Sequence, residues 1–197
     1  MLLSQDEARF PLVPTLRATP GVKGYRPTVG TWDNKDQVYC LAALNVVTGQ
    51  LTTRLLEQPA RSKAKTGLSQ QQRLQGAFAA HLRDIAWAYP ASQYPEVVIT
   101  IDHAPWHRGT LMPQVLAAYP HLRVKRLPSD SPQLNVIERF WRVLRRRATH
   151  NRLFANMAAV RVTLRNNICY FQTMRQKVLS LIESPRKTKK EAKLAAA

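Results

Sequence analysis

The order in which apolar periodicity changes along the chain limits the fold more than any other feature. Residues 97–101, Val-Val-Ile-Thr-Ile, are apolar on both faces, as in a central strand of a covered sheet. Upstream, residues 37–47 read as a longer apolar strand, which Thr48-Gly49 turns into a second one over 50–56, a hairpin pattern. Residues 1–10 read as a strand remnant, short because only five residues precede Asp6, and 28–32 as another short strand; 11–27 and 57–67 are loops. Ser69 with Gln72 forms a capping box ahead of a helix whose Leu74, Phe78, Leu82 and Ile85 fall on one face. A short helix over 111–119 and a strand over 122–127 follow. Ser131 is the expected N-cap, with Pro132 at the first helical position, of a helix reaching about Ala148 that buries Leu134, Ile137, Trp141 and Leu144. One long helix is expected over 156–182, with Met157, Val160, Leu164, Ile168, Phe171, Met174, Val178 and Leu181 as its apolar stripe. A strand meander that gives way to alternating helices and strands predicts an α/β fold: a mixed sheet flanked by helices, plus a long C-terminal helix.

Charge narrows the choice of partner. The 197 residues carry a formal net charge of +18, with a pI near 10.8. That points to a polyanion, nucleic acid before an anionic membrane surface. At 45% hydrophobic residues the chain can bury a real core. No apolar run approaches the roughly 18–20 residues that span a bilayer, and the N-terminus lacks a signal-peptide pattern. No membrane association is expected, and the location is cytoplasmic, close to the nucleoid. Cys40 and Cys169 stand singly in apolar contexts, as buried free thiols rather than metal ligands.

Two carboxylates occupy very different settings. Asp102 lies just past the strand at 97–101, where open α/β sheets place their sites. Glu138 sits at the edge of the apolar stripe of an Arg-rich helix, where the ordinary reading is an i,i+4 pair with Arg142. Two-metal phosphoryl transfer needs acidic ligands that converge from separate elements, and hard divalent ions prefer carboxylate oxygen. Asp6 and Glu7 are adjacent upstream acids, and on a strand only one of them can face a given site. Arg142, Arg145 and Arg146 on the Glu138 helix, with Arg17, Lys23, Arg26, Arg61, Lys63, Lys65, His107 and Arg108 in loops, are candidate DNA contacts. His103 and His107 have i,i+4 spacing, but Pro105 argues against a helical zinc site, leaving phosphate contact or loop packing. Trp106 is open to two readings, a base-stacking platform or a buried side chain; Trp141 reads as core.

Ile101-Asp102-His103-Ala104-Pro105-Trp106-His107-Arg108 and the run from Leu127-Pro128-Ser129-Asp130 through Ile137-Glu138-Arg139-Phe140-Trp141 resemble the motifs of DDE-type transposases. The branch they look like is the bacterial insertion-sequence relatives of the mariner transposases. In that family these motifs carry the second and third catalytic acids about 35 residues apart, as between Asp102 and Glu138 here. The resemblance covers roughly residues 2–153. It implies a ribonuclease H-like fold with the first acid on the first strand, at Asp6. It also implies two Mg²⁺ or Mn²⁺ ions held by Asp6, Asp102 and Glu138, DNA transposon ends and a TA target, and a dimer or larger assembly. His103 stands where the family usually has Asn, and Val136 where it has Pro. The family's helix-turn-helix module is not found ahead of Asp6; the expectation is a catalytic domain over 1–183 and a basic disordered tail over 184–197, with two alternatives for that module, a separate polypeptide or a chain that is a fragment or relic. The readings left open are a metal-dependent DNA strand transferase, an inert basic DNA-binding transposase remnant, and another ribonuclease H-like nuclease such as a junction resolvase.

Overall fold

The structure, a computed structural model, describes residues 1–18, 23–24, 28–31, 34–58, 67–128 and 134–182. Five strands form one mixed sheet: β1 (Leu2–Pro11), β2 (Gln37–Asn45), β3 (Leu51–Gln58), β4 (Val97–Ile101) and β5 (Leu122–Arg126), in the order β3-β2-β1-β4-β5. β1, β2 and β3 pair antiparallel, whereas β4 and β5 run parallel to β1 and to each other. β1 is therefore central. β2 pairs with it from Leu3 to Pro11, so the strand runs on past Asp6.

Helices cover both faces. α1 (Gln70–Ala88) and α2 (Leu111–Ala118) lie on one side, where Leu3, Leu41, Phe78, Leu82, Ile85, Ile99 and Ile101 make one core. α3 (Ile137–Ala148), α4 (Met157–Thr173) and α5 (Arg175–Ile182) lie on the other, around Phe10, Val38, Phe140, Trp141, Leu144, Leu164 and Phe171. The Ser69 capping box is present: its side chain accepts from Gln72 N–H, and the Gln72 side chain returns to the Ser69 N–H at 2.8 Å. Among the described residues no helix is long and apolar enough to cross a membrane.

Four expectations are corrected. Residues 28–31 form no strand, and Trp32 lies outside the described residues. α3 begins at Ile137 with Val136 as its N-cap, and Leu134 is 51% exposed, because Asn135 is instead tied to β1 through Ser4; Ser131 and Pro132 lie outside the described residues. The single last helix is two, broken at Met174, whose φ of −100° and ψ of 54° leave the helical region. The break leaves Met174 exposed and turns Val178 of α5 into the core. Cys169 is exposed, whereas Cys40 is buried as expected.

The β2–β3 turn receives α5. Gly49 has φ of +70°, and a Cβ built there would collide with the Arg175 carbonyl oxygen and press on Leu179. Gly49→Ala is expected to destabilise the protein by about 1–3 kcal/mol, since it adds left-handed strain to a backbone collision. Thermal denaturation checks this as a midpoint lowered by several degrees, with the β2–β3 turn and α5 losing amide-exchange protection first.

Candidate active site

Asp6, Asp102 and Glu138 come from three separate elements, the middle of β1, the loop after β4 and the first turn of α3. β1 and β4 are paired in parallel through Ser4 and Thr100, and two residues further along each strand lie Asp6 and Asp102. Side chains alternate along a strand, so Asp6 shares its face with Ala8 and Phe10, toward α3 and α4. It is 7% exposed, and its Oδ2 accepts a 3.0 Å hydrogen bond from Trp141 Nε1–H. Trp141 is thus core, as expected, and also the donor that holds Asp6. Its spacing from Glu138 along one helix gave no hint of that.

Glu138 arrives by way of a buried anchor. Ser4 Oγ–H donates to Asn135 Oδ1 at 2.8 Å, fixing the start of α3 against β1. Glu138 then falls in the first turn of α3, where the helix dipole favours its negative charge. Its side chain is exposed and pairs with neither Arg142 nor any other described residue. Its charge nevertheless reaches Asp6. Burial pushes the Asp6 carboxyl up to about 8, and the nearby charges of Glu7, Glu138 and Asp102 add to the rise.

Asp102 is held by its own loop. Ala104 N–H donates to Oδ1 at 2.9 Å, and His107 Nδ1 lies 3.1 Å from the same oxygen. The His107 hydrogen bond is the main cause that keeps the Asp102 carboxyl below the usual range. The loop folds as a short 3-10 turn over Pro105–His107. Across it, His103 Nε2–H donates to the Leu127 carbonyl at 2.7 Å, joining the ends of β4 and β5.

Glu7 faces the other way, into the α1 side of the sheet. Its Oε1 accepts from Gln5 Nε2 at 2.8 Å and lies 3.1 Å from His107 Nε2, and its Oε2 accepts from Trp106 Nε1 at 3.0 Å. His107 is fully buried with both ring nitrogens engaged by carboxylates, so the expectation that it touches DNA is corrected. Burial opposes its charge, but the hydrogen bonds to Asp102 and Glu7 outweigh it and carry the ring to about 9. Trp106 is half-buried and donates to Glu7. The Asp6-Glu7 doublet held the signal for this second cluster, since alternation requires the second acid to find partners under α1.

The basic candidates divide. Asn151, at φ of +56°, clamps the loop after β1: its Oδ1 accepts from Arg17 N–H at 2.8 Å and its Nδ2–H donates to Arg17 O at 2.9 Å. This brings Arg17 within electrostatic reach of His150, as Arg145 and Arg146 are. Burial lowers the His150 pKa, and the positive charges of Arg17, Arg145 and Arg146 lower it further. Arg142 and Arg146 are exposed on α3, while Arg145 is half-buried with its guanidinium 5.9 Å from the Phe10 ring centre. Arg108 and Lys23 are exposed. Arg26, Arg61, Lys63 and Lys65 lie outside the described residues.

Among the described residues no three His, Cys, Asp or Glu side chains have already closed to metal-ligand distances. The donor set still suits a hard divalent cation. It offers carboxylate oxygens only, and their mutual repulsion at Asp6 is what such a cation relieves.

Comparison with known proteins follows the same lines. Residues 1–161 match the family model described as DDE superfamily endonuclease. No curated protein matches by sequence. Among solved structures, the Mos1 mariner paired end complex with Mn is similar over 92% of this chain and 53% of its own, at 14% identity and a TM-score of 0.60. The Mos1 transposase catalytic domain with raltegravir and Mg matches over 92% and 79%, at 14% identity and a TM-score of 0.56. The Mos1 strand transfer complex matches over 94% and 56%, at 14% identity and a TM-score of 0.54. The chain thus spans about half the length of the full-length neighbour it matches. The shared architecture is the ribonuclease H-like fold, a mixed five-stranded sheet with helices on its faces.

The raised Asp6 carboxyl has a direct consequence for stability. A group whose folded pKa lies above its unfolded one contributes stability that is full below about pH 4 and is lost as pH rises through about 8. In metal-free buffer with EDTA, the protein is therefore expected to melt at lower temperature at pH 8 than at pH 5 on account of this group. Asp6→Asn removes that part of the decline, raising the pH 8 midpoint more than the pH 5 midpoint; an equal shift at both, or an unaltered pH 8 midpoint, contradicts the assignment.

Proposed function

Since this chain belongs to the DDE superfamily endonucleases, we propose that it is the catalytic part of a transposase, cutting DNA at element ends and joining the freed 3′-hydroxyl to a target. The observation that supports the reading is that Asp102 and Glu138, from the β4 loop and α3, lie near enough to Asp6 on β1 for their charges to raise its carboxyl pKa. The similarity to Mos1 complexes named for paired ends and strand transfer supports it.

Asp6, Asp102 and Glu138 are the residues that would hold two Mg²⁺ or Mn²⁺ ions. When bound, such ions activate water or a 3′-hydroxyl and stabilise the leaving oxygen of an in-line displacement. The chain's own groups prepare the acids for that work. Trp141 N–H fixes one Asp6 oxygen, and the Ala104 and His107 donors fix one Asp102 oxygen, so neither carboxylate has to be ordered at the moment of reaction. Among the described residues Glu138 has no hydrogen-bond or ion-pair partner, and it sits at the exposed start of α3. Arg142, Arg145 and Arg146 follow it along the same helix, four, seven and eight residues on, and with Arg17 they form a basic track that holds the phosphate backbone. Lys23, Arg26, Arg61, Lys63, Lys65 and Arg108 extend the proposed DNA contact. A dimer or larger assembly on two DNA ends and a TA target belong to the same proposal.

Asp102→Asn and Glu138→Gln are each expected to lower Mn²⁺-dependent nicking of duplex DNA by about 100-fold or more, beyond the 10–100-fold typical of losing a group that merely supports a ligand. DNA binding should survive in both. Cleavage at the original rate sinks the assignment, and binding without cleavage by the unaltered chain under either metal points to a non-enzymatic binder. The basic track is checked separately by salt titration of DNA affinity: Arg145→Ala with Arg146→Ala is expected to flatten the slope of log K against log salt by about 0.9 for each phosphate that is no longer neutralised.

A further inference from the structure

We propose that Glu7, on the face of the sheet opposite Asp6, acts through His107 as a positioning residue for Asp102, deciding which of its oxygens is left open to a divalent cation. The proposal rests on Asp102 being a cation ligand.

Glu7 cannot be a ligand itself. Its side chain is 2% exposed, and both oxygens are taken, Oε1 by Gln5 and His107 and Oε2 by Trp106. Alternation along β1 directs it under α1, away from Asp6. The 3-10 turn after β4 is what links the two faces. It folds His107 back beneath α1, with its ring centre 4.4 Å from that of Phe78, while Asp102 stays half-exposed at 47%. The ring then spans the gap, with Nε2 3.1 Å from Glu7 and Nδ1 3.1 Å from Asp102.

At the far end of this chain, both hydrogen bonds to Asp102 fall on Oδ1, from Ala104 N–H and from His107. Oδ2 accepts none among the described residues. Carboxylate rotation would otherwise exchange the two oxygens freely. With Oδ1 held by a buried ring that is itself held by a buried acid, the exposed oxygen has one identity and one direction. Burying an acid is costly unless it is paired, and the only part of the Glu7–His107–Asp102 chain that meets solvent substantially is Asp102. A hydrogen-bonded partner of this kind orients a ligand and is typically worth about 10–100-fold in metal affinity.

Mn²⁺ calorimetry on the full chain, without DNA, tests this with the variants Glu7→Gln, His107→Gln and Asp102→Asn, each checked for folding by circular dichroism. Glu7→Gln and His107→Gln are each expected to weaken Mn²⁺ by about 10-fold or more. The double variant should be no weaker than His107→Gln alone, because both changes break one chain. Folded Glu7→Gln with unchanged Mn²⁺ affinity overturns the proposal, since a packing role would leave that affinity alone. Additive losses in the double variant also overturn it, by showing that Glu7 does not act through His107. Should Glu7→Gln fail to fold, Trp106→Phe, which frees Glu7 Oε2, takes its place in the same cycle. Retention of Mn²⁺ by Asp102→Asn is a different failure: it removes Asp102 from the metal site and with it the functional reading above.

Discussion

Side-chain alternation along β1, a strand enclosed by β2 on one edge and β4 on the other, is the constraint from which the rest of the site follows. Helices cover both faces of the sheet where Asp6 and Glu7 lie, so each of these acids finds its partners within a core. Asp6 finds Trp141 on the α3 side, and Glu7 finds Gln5, Trp106 and His107 on the α1 side. One adjacent pair of acids thereby places a carboxylate in each core, Asp6 beside Trp141 on one face and Glu7 beside His107 on the other.

Crowding of like charge gives this end of the sheet its chemical character. A protein selected for stability alone would not bury Asp6 within reach of three other carboxylates. The raised Asp6 carboxyl reflects that conflict, and natural sites commonly hold such local conflicts with stability. The conflict is confined. Asp102 and Glu7 are balanced by the imidazolium between them, and Glu138 is exposed at a helix N-terminus, so the unrelieved charge is concentrated at Asp6. The chain as a whole carries a formal net charge of +18, which favours a polyanionic partner.

The helices on the α3 side show how tertiary contacts redraw local boundaries. The Ser131-Pro132 pair looks like a helix start, yet α3 begins at Ile137 because Asn135 is committed to Ser4 across the sheet. The apolar stripe over 156–182 looks continuous, yet the chain breaks at Met174 so that α5 can dock on the Gly49 turn and α3 together. In both places a hydrogen bond or a close backbone approach from a residue distant in sequence outweighs a helical preference worth only tenths of a kcal/mol per residue.

What the sequence by itself determined is the part governed by short-range periodicity. It included the β2–β3 hairpin, the capped α1 with its buried face, the strand that ends at Asp102, the later helix and strand, and the mixed-sheet class. Motif spacing added Asp102 and Glu138 as a pair and, through family resemblance, Asp6. What only the tertiary structure decided is which atoms meet. That His107 is buried rather than free to touch phosphate depends on a 3-10 turn folding under α1. That Trp141 holds an acid as well as filling the core depends on the register between β1 and α3. That Arg17 joins the arginines of α3 depends on the Asn151 clamp. Each of these links residues about 100 or more positions apart. Periodicity reports only which way a side chain leaves its own element, whereas pairing across the molecule is set by the packing of those elements against one another.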